Sequence, residues 1–237
     1  MARRSYSSKR TDRLWGAIRI WAVLFIFSSA AAMAAFGYRV WLLAGIAGDT
    51  LMNEASYISD YVPGAEAEAF TTAGAALVYL LTYLVSAFLV LMWYLRSVRN
   101  AHALSNGVET SPKWAIWWFF IPLVSLWKPY SMTSELWRSS RQPDGWKSLP
   151  DPALLRWWWG AVLVSGIVIN ISTILSRSAA SVSHLVISDS VLIGGYALQI
   201  LAGVLFLRIG GQISRRQTAL ISEGRVAPPP SQPAWTA

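Results

Sequence analysis

RSVRNAHALSNGVETSPKWAIWWFFIPLVSLWKPYSMTSELWRSS, residues 96–140, decides how this chain meets a bilayer. Within it, Trp114 to Trp127 form an aromatic, apolar run between Lys113 and Lys128, broken by Pro122 and followed at once by Pro129. As a helix this run would measure about 21 Å at 1.5 Å per residue, and a hydrocarbon core is about 30 Å thick. Pro122 removes a backbone donor and biases Ile121 away from the helical region. Trp114, Trp117 and Trp118 share one helical face, and tryptophan favours the membrane–water interface. The pattern therefore predicts a re-entrant or interfacial element over 112–127. It predicts a short amphipathic helix over 129–140, lying on the cytoplasmic surface. Together they make an interfacial element over 112–140.

Working outward, the 237-residue chain is 54% hydrophobic and 14% charged, where a soluble domain carries about 25% charge. Its 14 Trp exceed what one buried core would use. Four stretches are long and apolar enough to cross a bilayer, at about 17–43, 73–95, 157–176 and 185–208. The expected fold is thus all-α: a polytopic membrane protein with four transmembrane helices plus the central Trp/Pro-rich segment. Residues 1–13 read as a basic, disordered cytoplasmic tail, 14–218 as a single membrane domain, and 219–237 as a disordered tail containing Pro228, Pro229 and Pro230. The apolar run from Ile18 to Ile46 is too long for the core of a signal peptide. Arg39, near its far end, is placed to snorkel to the interface.

Lys and Arg fix the expected topology. With four crossings and a non-crossing central segment, 1–19, 96–156 and the C-terminus lie on one side and hold 18 of the 20 basic residues, leaving Arg39 and Arg177 opposite. A fifth crossing would move Lys128, Arg138, Arg141, Lys147, Arg156 and the C-terminal arginines across. Because basic residues favour the cytoplasmic side, the four-crossing arrangement is preferred, with both termini cytoplasmic. It leaves Asp49, Glu54, Asp60, Glu66 and Glu68 in an outer loop. Those carboxylates lack the spacing and central Gly of a calcium loop, so a solvated loop is the reading.

Two further patterns carry candidate function. WYLRSVRNAHAL (93–104) puts Arg96, Arg99 and His102 at helical spacing, which extends the second span as a basic face. Inside the later spans, Asn170, Asp189 and Gln199 are intramembrane polar residues. Asn170 and Gln199 are expected to hydrogen-bond across helices, and Asp189 to form an ion pair near Arg177 and His184. Ser190 and Gly194 (i, i+4) would let spans pack closely.

The central residues resemble the bacterial membrane proteins grouped as the domain of unknown function 4328 family. The likeness rests on W-x-x-R-x-x-R-N-x-x-x-L at Trp93, Arg96, Arg99, Asn100 and Leu104. S-P-x-W-A-x-W-W-F-x-x-P follows at Ser111, Pro112, Trp114, Ala115, Trp117, Trp118, Phe119 and Pro122. It continues through Leu126, Pro129 and Tyr130 to E-L-W-R-x-S at Glu135, Leu136, Trp137, Arg138 and Ser140. The chain departs at Leu123-Val124-Ser125, where an Ile-Ala-Asn-like triplet is usual, and in register around Trp93. The resemblance spans about residues 14–218. It implies a multi-pass protein of the bacterial inner (plasma) membrane, with paired spans either side of the motif and no assigned activity.

Cysteine is absent, so no thiolate site or disulfide framework exists. His102 and His184 fall on opposite sides in the four-crossing topology, and no serine sits in a G-x-S-x-G context. Neither an enzyme nor a cofactor or metal site is expected. The expected function is a non-enzymatic scaffold or accessory protein binding lipid and partners. The alternative is a small transporter, channel or ligand-binding membrane domain. Trp114, Trp117, Trp118, Tyr130 and Trp137 would anchor a platform on which Arg96, Arg99, Lys128 and Arg138 face anionic headgroups or an acidic partner. Expected partners are the bilayer and a membrane protein or second copy; the net charge of +8 is read as span-flanking charge, not as a nucleic-acid surface.

Overall fold

A computed structural model describes residues 8–46, 50, 58–63 and 65–225. Residues 1–7 of the expected N-terminal tail, Asp49, Glu54, Gly64 and the proline-containing stretch 226–237 lie outside the described residues. The described chain is all-helical. Four helices, α1 (Asp12–Leu43), α2 (Glu68–Leu104), α5 (Ala153–Arg177) and α6 (Val182–Ser222), are long and apolar enough to cross a membrane. Between α2 and α5 come α3 (Trp114–Trp117), a single turn, and α4 (Lys128–Arg141).

The expected spans all fall inside these helices, and the helices overshoot them. Polar residues flanking a span are good helix formers, so the helix ends where capping stops it rather than where apolarity does. α2 opens at Glu68, an acidic residue in its first turn, where a carboxylate suits the N-terminal dipole. α6 continues through 219–222, which the sequence placed in the tail. It closes with Gly224 at φ 70°, Gly224 N–H on Ile221 O (3.1 Å) and Arg225 N–H on Leu220 O (3.0 Å). That paired reverse bonding around a left-handed glycine is a Schellman ending. At the other end, Thr11 is buried and α1 starts at Asp12, so Thr11, Asp12 and Arg13 of the stretch read as tail belong to the folded structure.

The helices divide between two compact units. One comprises 1–19, 87–156 and 206–237, the other 20–86 and 157–205. The first is built around Trp93, fully buried, with ring centroids 5.7 Å from Trp15, 4.9 Å from Tyr94 and 5.6 Å from Phe206. Its indole N–H donates to Ser214 Oγ (2.8 Å), and the Tyr94 hydroxyl is 2.8 Å from Thr133 Oγ1. Trp93 and Tyr94 can both be core because their polar tips find partners on neighbouring elements.

In the second unit, Leu42, Leu43, Ile58, Ala65 and Val182 form a buried cluster that ties the 58–65 segment to the end of α1 and the start of α6. Ser28 and Thr82 hydroxyls meet at 2.7 Å, and Ser86 Oγ donates to Trp21 O (3.1 Å). The expected packing pair Ser190/Gly194 is exposed, with open space at Gly194. Gly195, one position on and so rotated by about 100°, makes the contact instead: a Cβ there would lie 2.6 Å from Ile169 Cγ1.

A comparable approach exists in the first unit, where a Cβ on Gly210 would lie 2.5 Å from Trp15 Cη2. Trp15 is held between Trp93 and Phe206, so it has no easy retreat. Gly210→Ala is expected to cost about 1–3 kcal/mol through overpacking. Gly16→Ala, where no atom lies within 4 Å, should be neutral or stabilising. Melting temperatures of the two variants in detergent check this; equal shifts would contradict the packing.

Candidate functional site

The motif residues converge in the first unit, and most of them hold chain segments rather than face outward. Asn100, fully buried on α2, accepts the Lys9 backbone N–H at Oδ1 and donates to Lys9 O from Nδ2, both at 3.0 Å. The same amide donates to Gln217 Oε1 (3.4 Å), and Gln217 Nε2 donates to Ser97 O (3.0 Å). One primary amide thus pins both backbone groups of Lys9.

α4 begins with Pro129 in its first turn, where the missing N–H costs nothing. Nine of its residues are buried, so it is a packed element of its unit. Three of its faces have separate partners. Met132 and Leu136 enter the core. Glu135 receives the backbone N–H groups of Glu109 and of Thr110 (3.1 Å) on its two carboxylate oxygens, fixing the loop after α2. His102 supports the same loop through Nε2, 2.8 Å from Thr110 O. Tyr130, Ser134 and Arg138, spaced by four, converge on Asp151: Tyr130 OH donates to Oδ2 (3.0 Å), Ser134 Oγ bonds Oδ1, and Arg138 Nε lies 3.5 Å from Oδ1. Partial burial and the Asp151 carboxylate raise the Tyr130 pKa from its ordinary value. Lys147, 2.7 Å from Glu109, holds that carboxyl below the usual range.

The outward face is the central segment. α3 is one turn, Pro122 interrupts the helical bonding, and a second turn follows over Val124–Leu126. Trp114, Trp117, Phe120, Leu123, Leu126 and Trp127 are exposed, Leu123 to 72%. Pro122 is exposed as well, whereas Pro112 is buried. Lys128 Nζ sits 4.7 Å over the half-buried Trp118 ring, and Lys113 Nζ 5.9 Å over Trp114. Arg99 is exposed and Arg96 half-buried.

Two platform residues are placed otherwise than expected. Trp137 is buried, donates to Gln212 Oε1 (3.3 Å) and has the Arg141 and Arg216 guanidiniums near its ring. Arg138 turns to Asp151 and to the Trp146 ring, 5.3 Å away. Asp151, Trp146 and Gln217 were not singled out by sequence. Asp151 lay in a Pro-Asp-Pro turn that reads as a linker, and nothing local marks it as an acceptor for α4.

Of the intramembrane polar residues, Gln199 does bond across helices, accepting the Tyr79 hydroxyl. Asn170 is exposed; it lies on the outer face of α5, not toward the neighbouring helix. Asp189 is buried, but its cation is Arg39, with Arg39 Nε 3.6 Å from Asp189 Oδ2 and 3.4 Å from Glu68 Oε1. Arg39 therefore bridges two buried carboxylates instead of snorkelling, and Arg177 and His184 are exposed. Thr72 Oγ1 donates to Glu68 Oε1 (3.1 Å). Among the described residues no cluster of His, Asp and Glu is arranged to hold a metal ion.

Removing the pins has a defined consequence. Asn100→Ala leaves the Lys9 backbone groups without their partner, a loss of about 1–3 kcal/mol, and trypsin should cut faster at Lys9 and Arg10. Glu135→Gln should be nearly as harmful as Glu135→Ala, because one amide end would turn a donor toward a backbone N–H. Hydrogen exchange at Glu109 and Thr110 reads this directly; unchanged protection in Glu135→Gln would refute the double-acceptor role.

No curated protein and no solved structure matches the chain. A family model described as Domain of unknown function (DUF4328) matches residues 60–215. That stretch contains Asn100, Glu135, Trp137 and all of the central segment, together with three of the four long helices in whole or large part. By that match, which covers more than half of its length, the chain belongs to the DUF4328 family.

Proposed function

We propose that this is a non-enzymatic, multi-pass protein of the bacterial plasma membrane, both termini cytoplasmic, that uses its central segment to engage anionic lipid and a membrane-protein partner. The observation carrying the reading is the exposed apolar run of Trp114, Trp117, Phe120, Leu123, Leu126 and Trp127, rimmed by Lys113 and Lys128 over indole rings. An exposed apolar patch with a charged rim marks an interaction surface, and indole with lysine is the composition that settles at headgroup level. Charge supports the orientation. The unit containing this segment holds 18 basic and 6 acidic residues, net +12, and the other holds 2 basic and 6 acidic, net −4. A positive side of that magnitude suits an anionic cytoplasmic leaflet.

A second reading, transport of a cation or proton, is favoured by one observation: two buried carboxylates, Glu68 and Asp189, share the single guanidinium of Arg39. Buried ionisable groups in membrane helices often mark ion pathways. Gradient-driven proton entry into proteoliposomes that vanishes in a folded Asp189→Asn variant would favour this reading over the first.

The absence of cysteine makes the topology and the depth directly measurable. With Asp60→Cys, Asp144→Cys and Thr218→Cys, an impermeant reagent added outside cells should label only the first. A spin label at Leu123→Cys should be more accessible to oxygen than to a water-soluble nickel chelate. Outside labelling of Asp144→Cys would defeat the orientation, and a water-exposed label at Leu123 would defeat lipid engagement.

A further inference from the structure

Trp137 carries an arrangement that its own packing does not require. Its ring is buried, yet the Arg141 guanidinium lies 5.2 Å and the Arg216 guanidinium 5.3 Å from the ring centroid. Arg141 comes from the same helix, one turn on, and Arg216 from α6. Arg215 and Arg141 are near enough for their charge to act on Arg216. Among the described residues no carboxylate is within ion-pair distance of Arg141, Arg215 or Arg216. Arg216 Nη1 is buried with no hydrogen-bond partner. Elsewhere in this unit arginines do find acids: Arg138 with Asp151, Arg225 with Asp144.

Like charges gathered about one site repel, and a buried N–H of a charged group left unbonded is costly. The attraction of the indole ring for the guanidiniums offsets part of that, but the ring supplies no oxygen acceptor for their N–H donors. Planar guanidiniums present those donors as forks matched to tetrahedral oxyanions. An oxyanion would satisfy those donors.

We propose that Arg141 and Arg216, held by Trp137 and reinforced by the charge of Arg215, form a binding site for a phosphate-bearing anion, either a lipid phosphodiester headgroup or a free phosphate. Trp137, whose indole N–H is bonded to Gln212 Oε1, keeps both guanidiniums near its ring. This deepens the lipid-engagement reading, on which its lipid source rests; the site lies at residues distinct from the exposed 114–127 run.

The test uses full-length protein in a neutral detergent. Lipid retention is read by native mass spectrometry, with phosphatidylglycerol competing against phosphatidylcholine, and inorganic phosphate is titrated separately against melting temperature. Arg141→Gln and Arg216→Lys are compared with wild type and with Arg13→Gln, an exposed arginine of the same unit. Arg216→Lys keeps the charge while losing the planar fork, and Arg141 is exposed, so at least one variant should fold. Loss of one such fork should weaken anion binding about tenfold in each variant, and Arg13→Gln should match wild type. Selective phosphatidylglycerol retention lost in both variants supports a headgroup site. Stabilisation by phosphate alone, lost in both variants, supports a free-phosphate site and removes the headgroup source. Binding by wild type that Arg141→Gln and Arg216→Lys leave intact, or no preference for either anion, overturns the site. The latter results leave the lipid reading of the central segment standing if the label at Leu123 remains immersed.

Discussion

The first unit depends on one requirement: backbone groups outside the helices must find partners once they are buried. Helices meet this internally, but the segment before α1 and the loop between α2 and α3 do not. Asn100 answers for Lys9, Glu135 for Glu109 and Thr110, and Asp151 receives the polar face of α4. Asn100 and Glu135 are buried and Asp151 partly so, and each is matched by type to what it must satisfy. An amide serves where one donor and one acceptor are needed together; a carboxylate serves where two donors converge. The family motif residues Asn100 and Glu135 thereby have a physical role independent of any ligand.

Charge follows from the same economy of burial. Lys and Arg side chains tolerate apolar surroundings only with partners or a route to water. Eighteen of the 20 lie in the unit that also contains the central segment. In the other, Arg39 is balanced by Glu68 and Asp189, and Arg177 is exposed. The result is a net charge of +12 in the one unit and −4 in the other.

The long helices were legible because an apolar run near 20 residues has few alternatives. The interruption at Pro122 was legible because proline has a fixed local effect. Helix ends were less so: α6 passes the apolar boundary and stops at Gly224, where backbone geometry, not hydropathy, ends it. Pairings between distant residues were least legible. Asp189 could be recognised as needing a cation, but sequence proximity pointed to Arg177 and the fold supplied Arg39. Asp151 looked like a turn residue, and its value lies in three side chains of α4 that only the fold brings to it.

The tryptophans sharpen this point, since their abundance argued for interface anchors throughout. An indole has a large apolar body and one N–H. Where an acceptor lies within reach, the whole ring can be buried: Trp93 donates to Ser214, Trp137 to Gln212 and Trp146 to Asn106 O. Trp114, Trp117, Trp127 and Trp157 stay exposed, the first three on a segment too short and too broken to enclose them. Periodicity treats all of these residues alike. What separates core from surface is whether a second element, distant in sequence, offers one oxygen at the right place, so the split between structural and interaction tryptophans is a property of tertiary packing and not of the motif alone.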